Sequence, residues 1–116
     1  MQNCTNWIIV FLAITGHGAT CVPFNSWWTA KELEYGIEHS DVKTLFVDKK
    51  RYENVSNLNV KIITNEKIEG EIYLNDTLIS NQPSWPIDNS DELDTSVLLY
   101  TSCLLYTSDA ADEHRR

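Results

Sequence analysis

The sequence predicts an α/β fold built on a partial, mostly parallel sheet with crossover helices. Three observations point there. Short apolar runs rich in β-branched residues stand at 20–24 (TCVPF), 44–47 (TLFV) and 60–64 (VKIIT). Between them lie helical or turn patterns rather than two-residue hairpin loops, which is the order of a parallel sheet with crossovers. One of those connections carries a strong helix-start signature at Thr29-Ala30-Lys31-Glu32.

The elements follow in order. Asn3 and Thr5 are candidate N-caps, and Trp7, Val10, Phe11 and Ile14 recur at helical spacing after them. Gly16 and Gly18 stop that helix. The run at 20–24 reads as a strand that Pro23 places at an edge or at its own end. Thr29 and Glu32 can cap each other reciprocally, and Leu33 and Ile37 then share a face with Tyr35 beside them. Glu34, Glu38 and His39 lie on or near the wet side, and the helix ends near Ser40. Residues 44–47 read as a buried strand, 49–55 as a short helix or turn, and 60–64 as a further strand. Residues 72–79 fit either a helix or an edge strand. Residues 81–90, with Pro83 and Pro86, read as a loop, and Val97 to Tyr100 as a last strand behind Asp91, Glu92 and Asp94.

A chain of 116 residues bounds the answer to one small domain at most. Its four tryptophans require a real core, which a domain this size builds with a modest margin. The net charge of −8 repels a phosphate backbone, so a nucleic-acid partner is not expected. Three cysteines without a C-x-x-C pair make neither a disulfide framework nor a zinc site, and their odd number fits a reducing compartment. Residues 7–14 (WIIVFLAI) followed by Gly18-Ala19-Thr20-Cys21 imitate an export signal. The preceding MQNCTN carries no Lys or Arg, however, and His17 interrupts the cleavage region. The apolar run is also too short to span a bilayer. A cytoplasmic protein is expected, with no transmembrane segment and with peripheral membrane association left open.

Both ends read as artificial. Residues 98–102 and 104–108 are both LLYTS, a single duplication unlike a structural repeat. The second copy sits in CLLYTSDAADEHRR, residues 103–116, which looks like the conceptual translation of a transposon-type sequencing adapter. Such scars are set aside in fold reasoning. The expected organisation is an incomplete native subdomain over 1–102 and a non-native, disordered tail over 103–116. At the other end a helix pattern begins at once, with no strand before it, and Met1 reads as an internal methionine of a longer frame.

Groups that could carry chemistry are few. His17, His39 and His114 have no evident triad partner, and neither H-E-x-x-H nor G-x-G-x-x-G is present. His17 reads as part of a helix-terminating turn, and His39 as a cation at a helix C-terminus. Trp27-Trp28 fit a packed turn better than a binding platform. No catalytic residue and no metal ligand is expected. The informative stretch is Val97 to Ser102, a hydrophobic strand ending in Thr-Ser. Loops that cradle phosphate begin in this way, because small hydroxyl residues let backbone amides approach an anion. Thr101 and Ser102 are therefore the candidate ligand-binding residues.

Taken together, these residues resemble the N-terminal region of the ANL adenylate-forming superfamily, the AMP-binding acyl-CoA synthetases. Residues 6–14 look like its first helix, with Thr5-Asn6 where proline-glutamate is common. Residues 22–35 (VPFNSWWTAKELEY) are the most specific match and look like the fatty-acyl-CoA ligase branch. Residues 41–48 resemble the next strand, and 98–102 the opening of the phosphate loop YTSGTTG-x-PKG. The resemblance implies a fragment of the large N-terminal domain of an adenylate-forming enzyme. The parent would join a carboxylic acid, in this branch a fatty acid, to ATP with loss of pyrophosphate. It would then pass the acyl group to coenzyme A, with Mg2+ balancing the phosphate charge. Only Thr101 and Ser102 map onto the phosphate array. The loop glycines and lysine, the adenine segment, the magnesium-binding acid and the C-terminal lysine are absent, so the chain itself is expected to be inactive. The alternatives are a small stand-alone α/β binding or interaction module without catalysis, and an exported lipoprotein.

Overall fold

A computed structural model describes residues 1–80 and 91–101. The first element is helix α1, Thr5–Gly16. Its N-cap is Cys4, in extended conformation and without a side-chain cap, so neither Asn3 nor Thr5 takes the role expected of it, and Thr5 is already the first helical residue. The helix is anchored instead by Asn6, whose amide donates to Asn65 Oδ1 at 2.7 Å and to Asn75 Oδ1 at 3.3 Å. At the other end Gly18 adopts φ +74°. Gly18 N–H then donates to Thr15 and Ala19 N–H to Ile14, closing the last turn in a Schellman motif. The helix is apolar on every side. Val10 is buried and Trp7 stacks on Phe11, while Ile8, Ile9 and Leu12 face solvent.

Helix α2, Ala30–His39, starts as its sequence demands. Thr29 N–H and its hydroxyl both donate to Glu32 Oε2, at 2.7 and 2.8 Å, and Glu32 N–H donates back to Thr29 Oγ1 at 3.4 Å. These bonds to the ionised carboxylate hold the Glu32 pKa below the ordinary glutamate value. Leu33, Gly36 and Ile37 form the buried face, whereas Tyr35 is exposed rather than beside them in the core. The C-terminus repeats the ending of α1 with a different residue. Asp41 takes φ +53°, Asp41 N–H donates to Glu38 and Val42 N–H to Ile37.

The sheet has three parallel strands in sequence order: β1 Thr44–Val47, β2 Lys61–Thr64 and β3 Ile72–Tyr73. Thr44 lies opposite Lys61 and Val47 opposite Thr64, and Thr64 in turn lies opposite Tyr73. Only Val47 of β1 is fully buried; Thr44, Leu45 and Phe46 are half-covered, less than a central strand requires. The link from β1 to β2 contains the one-turn helix α3, Lys49–Tyr52, and a turn that sinks Val55 into the core at 1% exposure. β3 runs directly into helix α4, Leu74–Ser80, so the ambiguous stretch at 72–79 is a two-residue strand followed by a helix. The loop expected at 81–90 lies outside the described residues.

Two predicted strands shrink. Residues 20–24 and 97–100 meet in a single parallel bridge, Cys21 opposite Val97. Cys21 N–H donates to Ser96 O and Leu98 N–H to Cys21 O, both at 2.9 Å, and Thr20 Oγ1 donates to Thr95 O at 2.6 Å. Leu33, Val47, Val55 and Ile62 make the centre of the core, with Phe24, Trp28, Leu45, Tyr52, Leu58 and Val60 packed against it.

Candidate functional site

Thr101, the first of the predicted phosphate-binding pair, stands just past the Cys21–Val97 bridge. Thr101 is exposed; Ser102 lies outside the described residues. What the sequence does not announce is how firmly the residue before them is held. The Tyr100 ring lies 5.8 Å from Phe24 and 5.6 Å, edge-on, from Trp28. Its hydroxyl is 2.6 Å from His39 Nδ1. His39 is itself stacked on Tyr35 one helical turn earlier, with ring centroids 5.5 Å apart. The last residue of α2 is thus a polar anchor for the chain just past the Cys21–Val97 bridge.

This arrangement depends on a glycine. Phe24 and Trp28 stack at 5.6 Å and lie directly on α2 at Gly36. A Cβ there would come within 2.9 Å of both Phe24 Cε1 and Trp28 Cζ3. The tryptophan pair divides accordingly. Trp28 packs, as expected of the strand-to-helix turn, while Trp27 is 83% exposed.

A second feature hidden in the sequence is the Asp48–Arg51 pair at the C-terminal end of β1. Both side chains are largely buried, with Arg51 Nη1 donating to Asp48 Oδ2 at 2.7 Å. Asp48 also caps α3 by accepting from Arg51 N–H, and accepts from Gln2 N–H at 2.7 Å. Arg51 Nε donates to Ser26 O at 3.0 Å, tying α3 to the segment before α2. Burial beside this pair lowers the pKa of the Met1 amine, chiefly by desolvation. An i,i+3 Asp-x-x-Arg at a strand end was the available signal. An apolar cleft of about 500 Å³ opens between α1, residues 19–26 and β1, with Val10, Cys21, Phe24, Leu45 and Val47 among its walls.

Among the described residues the other candidates carry no constellation, and His114 lies outside them. His17 is the C-cap of α1. Cys21 is buried, and burial pushes its thiol pKa up, whereas Cys4 is exposed; both are free thiols. Among the described residues no group of three His, Cys, Asp or Glu side chains could hold a metal ion. An exposed Thr101 alone does not make a nucleotide cradle. No helix among the described residues is long and apolar enough to cross a membrane.

The family model described as AMP-binding enzyme matches residues 1–103, most of the chain. The chain belongs to the AMP-binding enzyme family. A 49-residue stretch is 39% identical to long chain acyl-CoA synthetase 5 of Arabidopsis thaliana, covering 42% of this chain and 7% of that relative. The chain thus spans a small part of the length of the curated relative it matches. No solved structure matches it. The bridge at Cys21 and Val97 and the aromatic set on Gly36 hold the chain just ahead of Thr101.

Proposed function

We propose that residues 1–102 are the incomplete N-terminal subdomain of an ATP-dependent acyl-activating ligase and that residues 103–116 are a non-native tail. The parent converts a carboxylic acid and ATP to an acyl-adenylate and pyrophosphate, then forms the thioester with coenzyme A, with a fatty acid as substrate. The family match over residues 1–103 carries this reading.

In this reading Tyr100 is the last anchored residue past the Cys21–Val97 bridge, and Thr101 and Ser102 open a phosphate loop. Their hydroxyls and amides supply donors to phosphate oxygens, where pre-aimed donors count most. Mg2+ and coenzyme A would be held by parts of the parent that this chain lacks. The isolated chain is inactive, because one exposed hydroxyl and its neighbour cannot surround a triphosphate. In this reading the parent is a cytoplasmic protein that could also associate peripherally with a membrane.

Sequencing the source DNA past the Ser102 codon, and assaying both products for carboxylate-dependent ATP–pyrophosphate exchange, tests the proposal. Continuation into a glycine- and threonine-rich loop with a lysine, with exchange by the long product only, is expected. Genomic DNA that encodes residues 103–116 and a stop, or exchange by the 116-residue chain, would overturn it. The first outcome would favour a small stand-alone binding module.

A further inference from the structure

We propose that His39 is a positioning residue for the phosphate loop: by holding the Tyr100 hydroxyl it fixes the direction in which the chain enters Thr101, the first residue of that loop. The inference rests on the phosphate-loop reading above, and its test is separable from that reading.

The geometry defines a two-point hold. Upstream, the backbone is fixed by three hydrogen bonds, Cys21 N–H to Ser96 O, Leu98 N–H to Cys21 O and Thr20 Oγ1 to Thr95 O. The ladder ends there, and Leu99 is exposed. One bridge fixes a position and leaves the following residues free to swing. Tyr100 supplies the second point. Its ring meets Phe24 and Trp28, contacts that tolerate sliding because dispersion is weakly directional. The hydroxyl bond to His39 Nδ1 at 2.6 Å is the directional restraint. His39 can provide it because stacking on Tyr35 holds its ring, and because the Schellman ending of α2 fixes its backbone. We assign the phenol as donor and Nδ1 as acceptor, which places the imidazole proton on Nε2.

Side chains on α2 would therefore set the aim of Thr101 without touching a ligand. His39→Phe keeps a ring and loses the acceptor, and Tyr100→Phe removes the hydroxyl. His39→Asn restores an acceptor near the Nδ1 position on a smaller side chain.

The experiment is NMR on the 116-residue chain. In the native chain, long-range ¹H–¹⁵N spectra should show His39 as the Nε2–H tautomer alone, and Tyr100→Phe should mix the tautomers. His39→Phe and Tyr100→Phe should each speed exchange of the Leu98 amide about 2- to 10-fold, the range of one ordinary hydrogen bond. Each should also lower the Thr101 backbone order parameter. The double variant should exceed neither single one, because both remove the same bond. His39→Asn should restore both readouts, whereas a purely packing role would make it the worst variant. Val47 and Ile62 amide exchange serves as the folding control. Mixed tautomers in the native chain, additive single effects, or an unrescued His39→Asn would each overturn the proposal. If the variants do not fold, the native tautomer decides alone. None of these readouts involves nucleotide. Intact anchoring together with a full-length parent that lacks ATP–pyrophosphate exchange would sink the phosphate-loop reading and leave only the His39–Tyr100 hold, so the two failures are distinguishable.

Discussion

Gly36 shows how one missing methyl group shapes the region around the site. Alanine is the better helix former by about 1 kcal/mol, yet its Cβ would meet two aromatic rings at 2.9 Å. Overpacking of that kind costs about 1–3 kcal/mol. Gly36→Ala should therefore lower stability by up to about 2 kcal/mol in denaturant unfolding, and quench or shift the Trp28 emission. Asp48 is a second such residue. It is 6% exposed and holds Arg51, the start of α3 and Gln2 together. Removing one partner of a buried pair strands the other's charge. Asp48→Ala should cost about 3 kcal/mol by chemical denaturation; a loss below 1 kcal/mol would show that water reaches Arg51. Neither residue declares itself in the sequence. A glycine inside a helical pattern hints at close approach, but the rings that approach it are 8 to 12 residues upstream, and their angle is a tertiary fact.

Element boundaries were most legible where local chemistry decides them. The Thr29–Glu32 capping box stands in the structure as the four residues spell it. Its carboxylate pKa is lowered, so the stabilisation is present above the ordinary glutamate value and is lost as pH falls through the folded value. A carbon-detected titration of Glu32 should give a midpoint below that of an unpaired glutamate, and Glu32→Gln should remove that pH dependence from the start of α2. The helix ends were also legible, though only in part. Gly18 was an evident stop, while Asp41 performs the same left-handed turn without glycine. Asp41→Gly should raise stability by about 0.5–1 kcal/mol, read as a higher melting temperature, because an L-residue is strained at that φ. The strands at 20–24 and 97–100 were overread. Their composition suits strands, but pairing is non-local, and only Cys21 and Val97 pair. The N-cap of α1 was missed because its start is set by Asn6 reaching Asn65 and Asn75, partners 59 and 69 residues away.

At the scale of the molecule, the fold class was readable because parallel β-α-β order leaves a pattern of apolar runs and caps, whereas the shape of the site was not. β1 pairs on one side only within the described sheet, and all four of its residues line the apolar cleft. Open sheet edges of this kind template further pairing. Colloidal behaviour follows from the exterior of α1. Ile8, Ile9 and Leu12 form a ridge at solvent with no charge anywhere on the helix to guard it, on a chain whose net charge is −8. Mutual repulsion is then what keeps copies apart, and it is a quantity that solvent conditions can switch off. Light scattering should show the second virial coefficient turning negative as the pH approaches about 4.7, and also at neutral pH in molar sodium chloride. Ile8→Lys with Leu12→Glu should keep it positive in the salt.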